Sequence, residues 1–172
     1  AQTNGVKIKH WAKPARLLKQ GDVLTGVEFE YTRLDAKDRL TGTGEKFFSA
    51  GWDLKAAAGG EATDSDWGEG GFAGLNHPRN MNKPIIAAIN GIACGGGFEL
   101  MIGADIIVVE EHATFALPEI NVGVLADAAT IKLRRRIPYH VAVEFLMTGR
   151  WMDAAEAKHW GLANHVVPRG QA

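Results

Sequence analysis

Two short, continuous apolar runs constrain the fold most: Ile-Ile-Ala-Ala-Ile at residues 85–89 and Ile-Ile-Val-Val at residues 106–109. Runs of this kind are typical of strands that are buried on both faces. Between them, the turn signal Asn90-Gly91 and the glycine triplet at residues 95–97 lead into a short helix, which we expect to end near Ala104. Strand, helix and strand form the unit of a parallel sheet, so the sequence predicts an α/β fold.

Two more helices are expected after this unit. Asp127 is a plausible N-cap for a helix that runs through Arg136. Pro138 fits the first turn of the next helix, which should extend to about Met147. The three arginines at residues 134–136 are typical of a solvated helix face rather than of a phosphate clamp.

The end of the sequence carries clear boundary signals. Asp153 followed by Glu156 resembles a capping box, and Gly161 is suited to close the helix that it starts. A last strand is predicted over residues 163–167. By contrast, residues 1–42 show patchy apolar stretches without a clean period, so the sequence does not allow strands to be assigned there. Residues 59–74 are rich in glycine and acidic residues, which predicts a long loop that is either a functional lid or disordered.

The bulk properties narrow the function classes. A chain of 172 residues fits a single domain spanning residues 1–172, and its net charge of −1 gives no field that would attract nucleic acid or an anionic membrane. The six histidines show no metal-binding spacing, so no metal site is expected. Neither an apolar run of about 20 residues nor a signal peptide is evident, and the single cysteine, Cys94, suits a reducing compartment; we expect a cytoplasmic protein without a membrane partner.

Two glutamates stand where carboxylates are unusual. Glu99 lies between a glycine-rich stretch and the apolar residues 100–102, and Glu119 directly follows Phe-Ala-Leu-Pro at residues 115–118. Burial moves a carboxyl pKa toward neutrality, which suits general acid and base chemistry. The pair is therefore the first candidate for catalysis.

Glycines near these carboxylates indicate a second kind of group. The backbone N–H of Gly96, at the start of a helix, could donate to a ligand oxygen without steric obstruction. A second glycine turn at residues 49–53 could supply another N–H group, and two such donors on one carbonyl oxygen make an oxyanion hole. A glycine triplet alone is also compatible with simple close packing.

Four segments together resemble the crotonase (enoyl-CoA hydratase/isomerase) superfamily. They are Gly44-Glu45-Lys46-Phe47-Phe48-Ser49-Ala50-Gly51-Trp52-Asp53-Leu54, the run from Lys83 to Gly91, Gly95-Gly96-Gly97-Phe98-Glu99-Leu100, and Phe115-Ala116-Leu117-Pro118-Glu119. The resemblance covers about residues 43–168. The first segment is most similar to members of the superfamily that dehydrate carnitinyl-CoA. The family fold that this implies is a spiral of ββα units.

The resemblance also implies residue roles. The amides of Trp52 and Gly96 would form the oxyanion hole for an acyl-CoA thioester, and Glu99 and Glu119, 20 positions apart, would exchange water and the α-proton. The substrate would also contact Ala50, Gly51, Asp53, Leu54, Gly95 and Gly97. Coenzyme A would be part of the substrate, no other cofactor is implied, and a homotrimer or hexamer is expected.

Two alternatives remain open. Asp127, after Val122-Gly123-Val124-Leu125-Ala126, also resembles an aspartate of dienoyl-CoA isomerases, which would make Glu119 and Asp127 the pair of a double-bond isomerase. A noncatalytic relative that only binds CoA is the second alternative.

Three departures from the family bear on these alternatives. Residues 1–42 match the family poorly, with Ala12 to Arg16 only echoing its CoA-binding signature. Ala129-Thr130 stands where typical hydratases have Gly-Gly. The helical C-terminal segment that builds the family's trimer does not follow Ala172, so we expect that the sequence is part of a longer chain.

Overall fold

The computed structural model describes residues 46–51 and 84–172, together with five strands between residues 9 and 42. Those strands are β1 Lys9–His10, β2 Pro14–Gln20, β3 Val23–Phe29, β4 Thr32–Leu34 and β5 Leu40–Gly42. The first three form their own sheet in the order β1-β3-β2. The sequence shows no alternating pattern here because the β2–β3 register is shifted at two places, and each shift breaks the period of two.

Five further strands follow: β6 Phe47–Ser49, β7 Ile86–Ile89, β8 Ile92–Cys94, β9 Ile106–Glu110 and β10 Thr114–Ala116. Strands β5, β7 and β9 pair in parallel within a larger sheet, while β6, β8 and β10 pair in parallel within a smaller one. Successive strands from β5 to β10 thus alternate between the larger sheet and the smaller one. The apolar runs at 85–89 and 106–109 are confirmed as strands, and the parallel pairing between them is confirmed as well.

The first helix, α1 Gly96–Gly103, directly follows β8 and completes a ββα unit. Its residues from Gly97 to Ile102 are buried, which explains why all of them except Glu99 are apolar. Phe98 holds this helix to the rest of the core, since its ring lies 5.4 Å from that of Phe145 and 6.4 Å from that of Phe115. Such tilted aromatic pairs add about 0.5–1.5 kcal/mol each beyond their buried area. The next residue, Glu99, is thereby held on a rigid element.

The C-terminal part packs around this core. It contains a 3-10 helix at Pro118–Val122, α2 Asp127–Lys132, a 3-10 turn at Leu133–Arg135, α3 Tyr139–Thr148, β11 Trp151–Asp153, α4 Ala154–His159 and β12 His165–Val167. Strand β11 pairs antiparallel with β10, and β12 pairs in parallel with β9.

One of the predicted helix boundaries is confirmed, and others are wrong. The Asp153 cap is confirmed, because its carboxylate accepts a hydrogen bond from the Glu156 amide at 2.7 Å, and Gly161 follows the helix with φ +80°. The N-cap prediction for Asp127 is wrong: Ala126 takes the N-cap position, and Asp127 is the first helical residue. That helix also ends at Lys132 rather than Arg136, where the backbone tightens into the 3-10 turn. Within the described residues, no helix combines the length and apolar character that a membrane span requires.

Candidate active site

The site lies where three parallel strands of the smaller sheet end. β6 ends at Ser49, β8 at Cys94 and β10 at Ala116. Because these strands run in the same direction, the segments that follow them emerge at one edge of the sheet, which is where open α/β sheets bind ligands. A hydrogen bond of 2.9 Å from the Gly95 amide to the Ala116 carbonyl ties two of these segments together.

Gly51 and Gly96 approach each other closely at this edge. A Cβ atom on Gly51 would lie 2.6 Å from the Gly96 nitrogen and 2.5 Å from the Cys94 carbonyl oxygen, and Gly51 has φ +82°. Only glycine fits both the space and the backbone conformation here. The structure therefore brings the glycine of the residue 49–53 turn against the first amide of α1, while the other predicted donor, the Trp52 amide, lies outside the described residues.

Glu99 lies in the first turn of α1 and is only 6% exposed. Its Oε1 accepts a hydrogen bond from the Ala129 amide at 2.9 Å. Burial raises the pKa of Glu99 to about 7, and the negative charges of Glu119 and Asp127 act in the same direction, against backbone hydrogen bonds from Ala129 and Ala128. Near neutral pH this carboxyl group can thus both donate and accept a proton.

Glu119 lies in the 3-10 helix that follows β10 and is half-buried. Burial also raises its pKa. Its Oε2 atom is buried and has no hydrogen-bond partner among the described residues. Gly95, with φ +56°, makes room for this carboxylate, since a Cβ atom there would lie 3.2 Å from Glu119 Oε1.

Asp127 is exposed at the start of α2, next to the helix turn whose amide contacts Glu99. Its charge raises the pKa of Glu99, so it lies within electrostatic reach of the buried carboxylate. The structure consequently places all three predicted acidic residues in one region, with Glu99 at its centre.

The remaining predicted residues divide into two groups. Ala50 is exposed between Ser49 and Gly51, and Gly97 packs on β6, where a Cβ atom would lie 2.1 Å from the Ser49 carbonyl oxygen. Trp52, Asp53 and Leu54, as well as the predicted loop at residues 59–74, lie outside the described residues.

Sequence reasoning assigned no role to three residues that the structure brings to the site. The Ala129 amide donates a hydrogen bond to Glu99, and the Ser49 hydroxyl is fully buried beside Gly51. The pKa of the Cys94 thiol is raised by burial and by the negative charge of Glu119. A backbone amide carries no sequence signal. Ser49 could have been noticed, because a serine two residues before a glycine is a common turn pattern.

Comparison with known proteins places the chain in a family. The family described as enoyl-CoA hydratase/isomerase matches residues 30–172, and the chain belongs to it. The chain is 57% identical over 129 residues to the carnitinyl-CoA dehydratase of Proteus mirabilis, which is 74% of this chain and 49% of that protein. It is 54% identical over 133 residues to the carnitinyl-CoA dehydratase of Escherichia coli K12, covering 77% of this chain and 51% of that protein.

Solved structures show the same relationship. A carnitinyl-CoA dehydratase from Mycobacterium avium 104 superposes with a TM-score of 0.71 at 44% identity, over 79% of this chain and 55% of that chain. An enoyl-CoA hydratase from Mycobacterium tuberculosis H37Rv gives a TM-score of 0.67 at 40% identity, over 76% of this chain and 50% of that chain. The predicted crotonase fold is confirmed by these neighbours, and the chain spans about half the length of the curated relatives that it matches.

Proposed function

We propose that the protein catalyses the reversible addition of water to a 2-enoyl-CoA thioester, with Glu99 and Glu119 as the acid and base. The observation that carries this proposal is the Glu99 carboxyl group, buried beside the Gly96 helix start with its pKa raised to about 7 and within reach of the Glu119 charge. When two carboxylates repel each other, one of them keeps a proton more readily than it would alone. Hydration needs one protonated and one ionised carboxyl group.

The proposed steps combine this arrangement with the oxyanion-hole role that the family resemblance implies for Trp52. The thioester oxygen accepts hydrogen bonds from the amides of Gly96 and Trp52, which stabilises the enolate that forms when water attacks C3. The ionised carboxylate takes a proton from that water, and the protonated one delivers its proton to C2. Dehydration is the same path in reverse. These steps require no metal and no redox cofactor, and coenzyme A enters only as part of the substrate.

The acyl group is proposed from the relatives. Two of them are named carnitinyl-CoA dehydratases and are 54–57% identical to this chain. We therefore propose a 3-hydroxyacyl-CoA whose acyl chain bears a quaternary ammonium group as the preferred substrate of dehydration. Ala50, Gly51, Asp53, Leu54, Gly95 and Gly97 would contact it.

The test is a panel of 2-enoyl-CoA and 3-hydroxyacyl-CoA thioesters, assayed with Glu99→Gln and Glu119→Gln variants. Each variant should lose about 10²- to 10⁴-fold in kcat, the usual contribution of a general acid or base. Glu111→Gln, which changes an exposed turn residue, serves as the matched control and should keep full activity. Full hydratase activity in both site variants would refute the proposal, and CoA binding without turnover of any thioester would favour a noncatalytic relative.

A double-bond isomerase is the second candidate, because the charge of Asp127 acts on Glu99, one of the two proposed catalytic carboxylates. In that reaction Glu119 and Asp127 would move a proton along a 3,5-dienoyl-CoA. Separate incubations with a 3,5-dienoyl-CoA and a 3-hydroxyacyl-CoA distinguish the two reactions. Loss of isomerisation in Asp127→Asn, with hydration intact, would assign this residue to the second reaction.

We also propose that the protein forms a homotrimer or hexamer in the cytoplasm. Several large apolar side chains are exposed on the C-terminal half, which supports burial in a homotrimer or hexamer: Ile120, Val122, Leu125, Tyr139, Met147 and Trp151. The free Cys94 thiol suits a cytoplasmic location. Light scattering on the purified full chain measures the assembly directly.

A further inference from the structure

We propose that a cavity at the edge of the smaller sheet, opposite the candidate active site, binds a small molecule that carries a phosphate group. The cavity has a volume of about 420 Å³. It is lined by Lys46, Ile92, His112, Thr114 and Arg169. None of these residues belongs to the candidate active site, so the inference does not depend on the proposed function.

The smaller sheet brings three of the lining residues together. Lys46 directly precedes β6, Ile92 begins β8 and Thr114 begins β10. Because the three strands are parallel, their first residues lie at one edge of the sheet, whereas Gly51 and Gly96 follow the strands at the other edge. A strand rises about 3.3 Å per residue, so roughly 10–15 Å of sheet separates the cavity from those two glycines.

A backbone hydrogen bond brings the other two lining residues to the same edge. The Glu111 amide donates to the Val167 carbonyl at 2.9 Å, which joins the turn after β9 to the end of β12. His112 lies in that turn, and Arg169 follows β12 after a single proline. The cavity is therefore built from segments that are far apart in sequence and are held together by their main chains.

The charged side chains on the cavity wall have one sign. Lys46 and Arg169 are exposed, and neither forms an ion pair with a carboxylate of the described residues. No acidic side chain from the described part of the chain lines the cavity. A concave surface that carries charges of one sign focuses the electrostatic field and concentrates ions of the opposite sign. We therefore expect the cavity to attract an anion.

Two of the lining side chains are oriented by neighbouring groups. The Nδ1 atom of His112 lies 3.6 Å from Oε2 of Glu110, which is only 4% exposed. Glu110 can thus orient the imidazole while its own carboxylate stays out of solvent. The Lys46 ammonium lies 5.4 Å from the centre of the Phe47 ring, a cation–π contact that restricts the lysine side chain.

The donors on the wall fit a phosphate group. The Arg169 guanidinium offers parallel N–H groups that match phosphate oxygens, Lys46 adds a point charge, and the Thr114 hydroxyl can donate a hydrogen bond. Three terminal oxygens of a phosphomonoester can use these donors, whereas a carboxylate has only two oxygens. Small-molecule sites usually measure about 300–1,000 Å³, so the cavity also has room for an organic group beside Ile92.

The test is an NMR titration of the ¹⁵N-labelled full chain with inorganic phosphate at low ionic strength. Saturable shifts should appear at the amides of Ile92, His112, Thr114 and Arg169 and should be absent with chloride at the same ionic strength. Glycerol 3-phosphate, a phosphomonoester, should shift the same amides and bind at least as tightly.

Three variants test the charges. Lys46→Gln and Arg169→Gln should each raise the Kd for phosphate about tenfold, as expected for loss of one charge-assisted hydrogen bond. Both side chains are exposed, so the Tm without phosphate should not change. Arg134→Gln removes an exposed arginine from the 3-10 turn, away from the cavity, and should leave the Kd unchanged.

The outcomes decide for or against a phosphate site. Shifts that do not saturate, or that chloride reproduces, would overturn the inference. An equal Kd in all three variants would overturn it as well, since the phosphate would then respond only to the net charge of the protein.

Coenzyme A itself carries phosphate groups, so a last titration uses CoA in the presence of phosphate. Shifts at Gly96 without displacement of phosphate would support two separate sites. Displacement of phosphate together with shifts at Gly96 would overturn the inference, because the cavity would then belong to the substrate site. If CoA shifts neither region, the proposed function loses its substrate, while the phosphate titration still decides the inference.

Discussion

The Glu99 carboxylate accepts a hydrogen bond of 2.9 Å from the backbone amide of Ala129, 30 residues further along the chain. The bond joins the first turn of α1 to the first turn of α2 and orients the most buried of the three acidic residues in the candidate site. It also stabilises the charged form of Glu99 in a place where burial opposes that charge. The donor is a main-chain group, so the side chain at residue 129 is not what Glu99 recognises.

The Ala129→Gly variant tests this conclusion. Typical hydratases are expected to carry Gly-Gly where this chain has Ala129-Thr130, and glycine would keep the amide that Glu99 needs. We expect kcat to stay within about threefold, while the free energy of unfolding falls by about 1–2 kcal/mol from helix propensity and lost burial. Urea denaturation and steady-state kinetics measure the two effects.

Ala142→Gly provides the control, because Ala142 is equally buried but lies in α3. Both variants should lose similar stability and keep their activity. If only Ala129→Gly loses kcat by more than about a hundredfold, the methyl group shapes the acyl pocket and the amide is not sufficient.

Stability should depend on pH through Glu99. Its pKa is raised from 4.5 to about 7 by burial, so between these values the folded protein binds more protons than the unfolded chain. The contribution of Glu99 to the free energy of unfolding is then greatest below about pH 4.5. It falls by roughly 2–4 kcal/mol in total as the pH rises through 7. The raised pKa of Glu119 contributes with the same sign.

The measurement is urea unfolding between pH 4.5 and 7.5 for the unmodified chain and for Glu99→Gln. The neutral amide cannot ionise, so the variant should lose most of this slope and be relatively more stable at pH 7.5. Identical slopes in both proteins would show that Glu99 is not buried as an ionisable group in solution.

Gly95 should be irreplaceable for a reason specific to the site. Alanine at this position would suffer backbone strain at φ +56°, and its Cβ atom would lie 3.2 Å from Glu119 Oε1. We expect Gly95→Ala to lose about 1–3 kcal/mol of stability and also most of its activity, because the Glu119 carboxylate must move.

Gly161→Ala is the matched variant. Gly161 also has a positive φ, +80°, but a Cβ atom there would meet nothing within 4 Å. Thermal denaturation should show a loss of stability in both variants, whereas only Gly95→Ala should lose kcat. Equal activity in the two variants would mean that Glu119 is not constrained by Gly95.

The sequence predicted those parts of the fold that local patterns encode. The apolar runs predicted β7 and β9, because parallel strands that are buried on both faces need continuous apolar residues. Asp153 predicted the start of α4, because its carboxylate accepts a hydrogen bond from an amide only three residues further along the chain. Strands β6, β8 and β10 have only three residues each, which is too short for a recognisable period. Their formation depends on parallel pairing with distant partners.

The candidate site was predictable to a similar extent. Apolar neighbours in the sequence correctly indicated that Glu99 is buried, and the glycine turns correctly indicated close backbone approach at Gly51 and Gly96. The Ala129 amide could not be predicted, since every residue except proline carries the same group. Asp127 was mistaken for an N-cap because its sequence context is the same whether it caps the helix or begins it. The roles of these residues in catalysis stay predictions.

The Cys94 thiol should report the charge of Glu119. Burial is the main cause that raises its pKa, and the negative charge of Glu119 raises it further. At pH 7.5 the thiol should therefore react with iodoacetamide more slowly than a free cysteine, because only the thiolate is nucleophilic.

Glu119→Gln removes the charge at nearly constant shape, so alkylation should become several-fold faster and the midpoint of its pH dependence should move down. Glu111→Gln should leave both unchanged. Mass spectrometry of the time course measures the rate, and an unaltered rate in Glu119→Gln would show that this carboxylate is protonated or turned away from Cys94 at that pH.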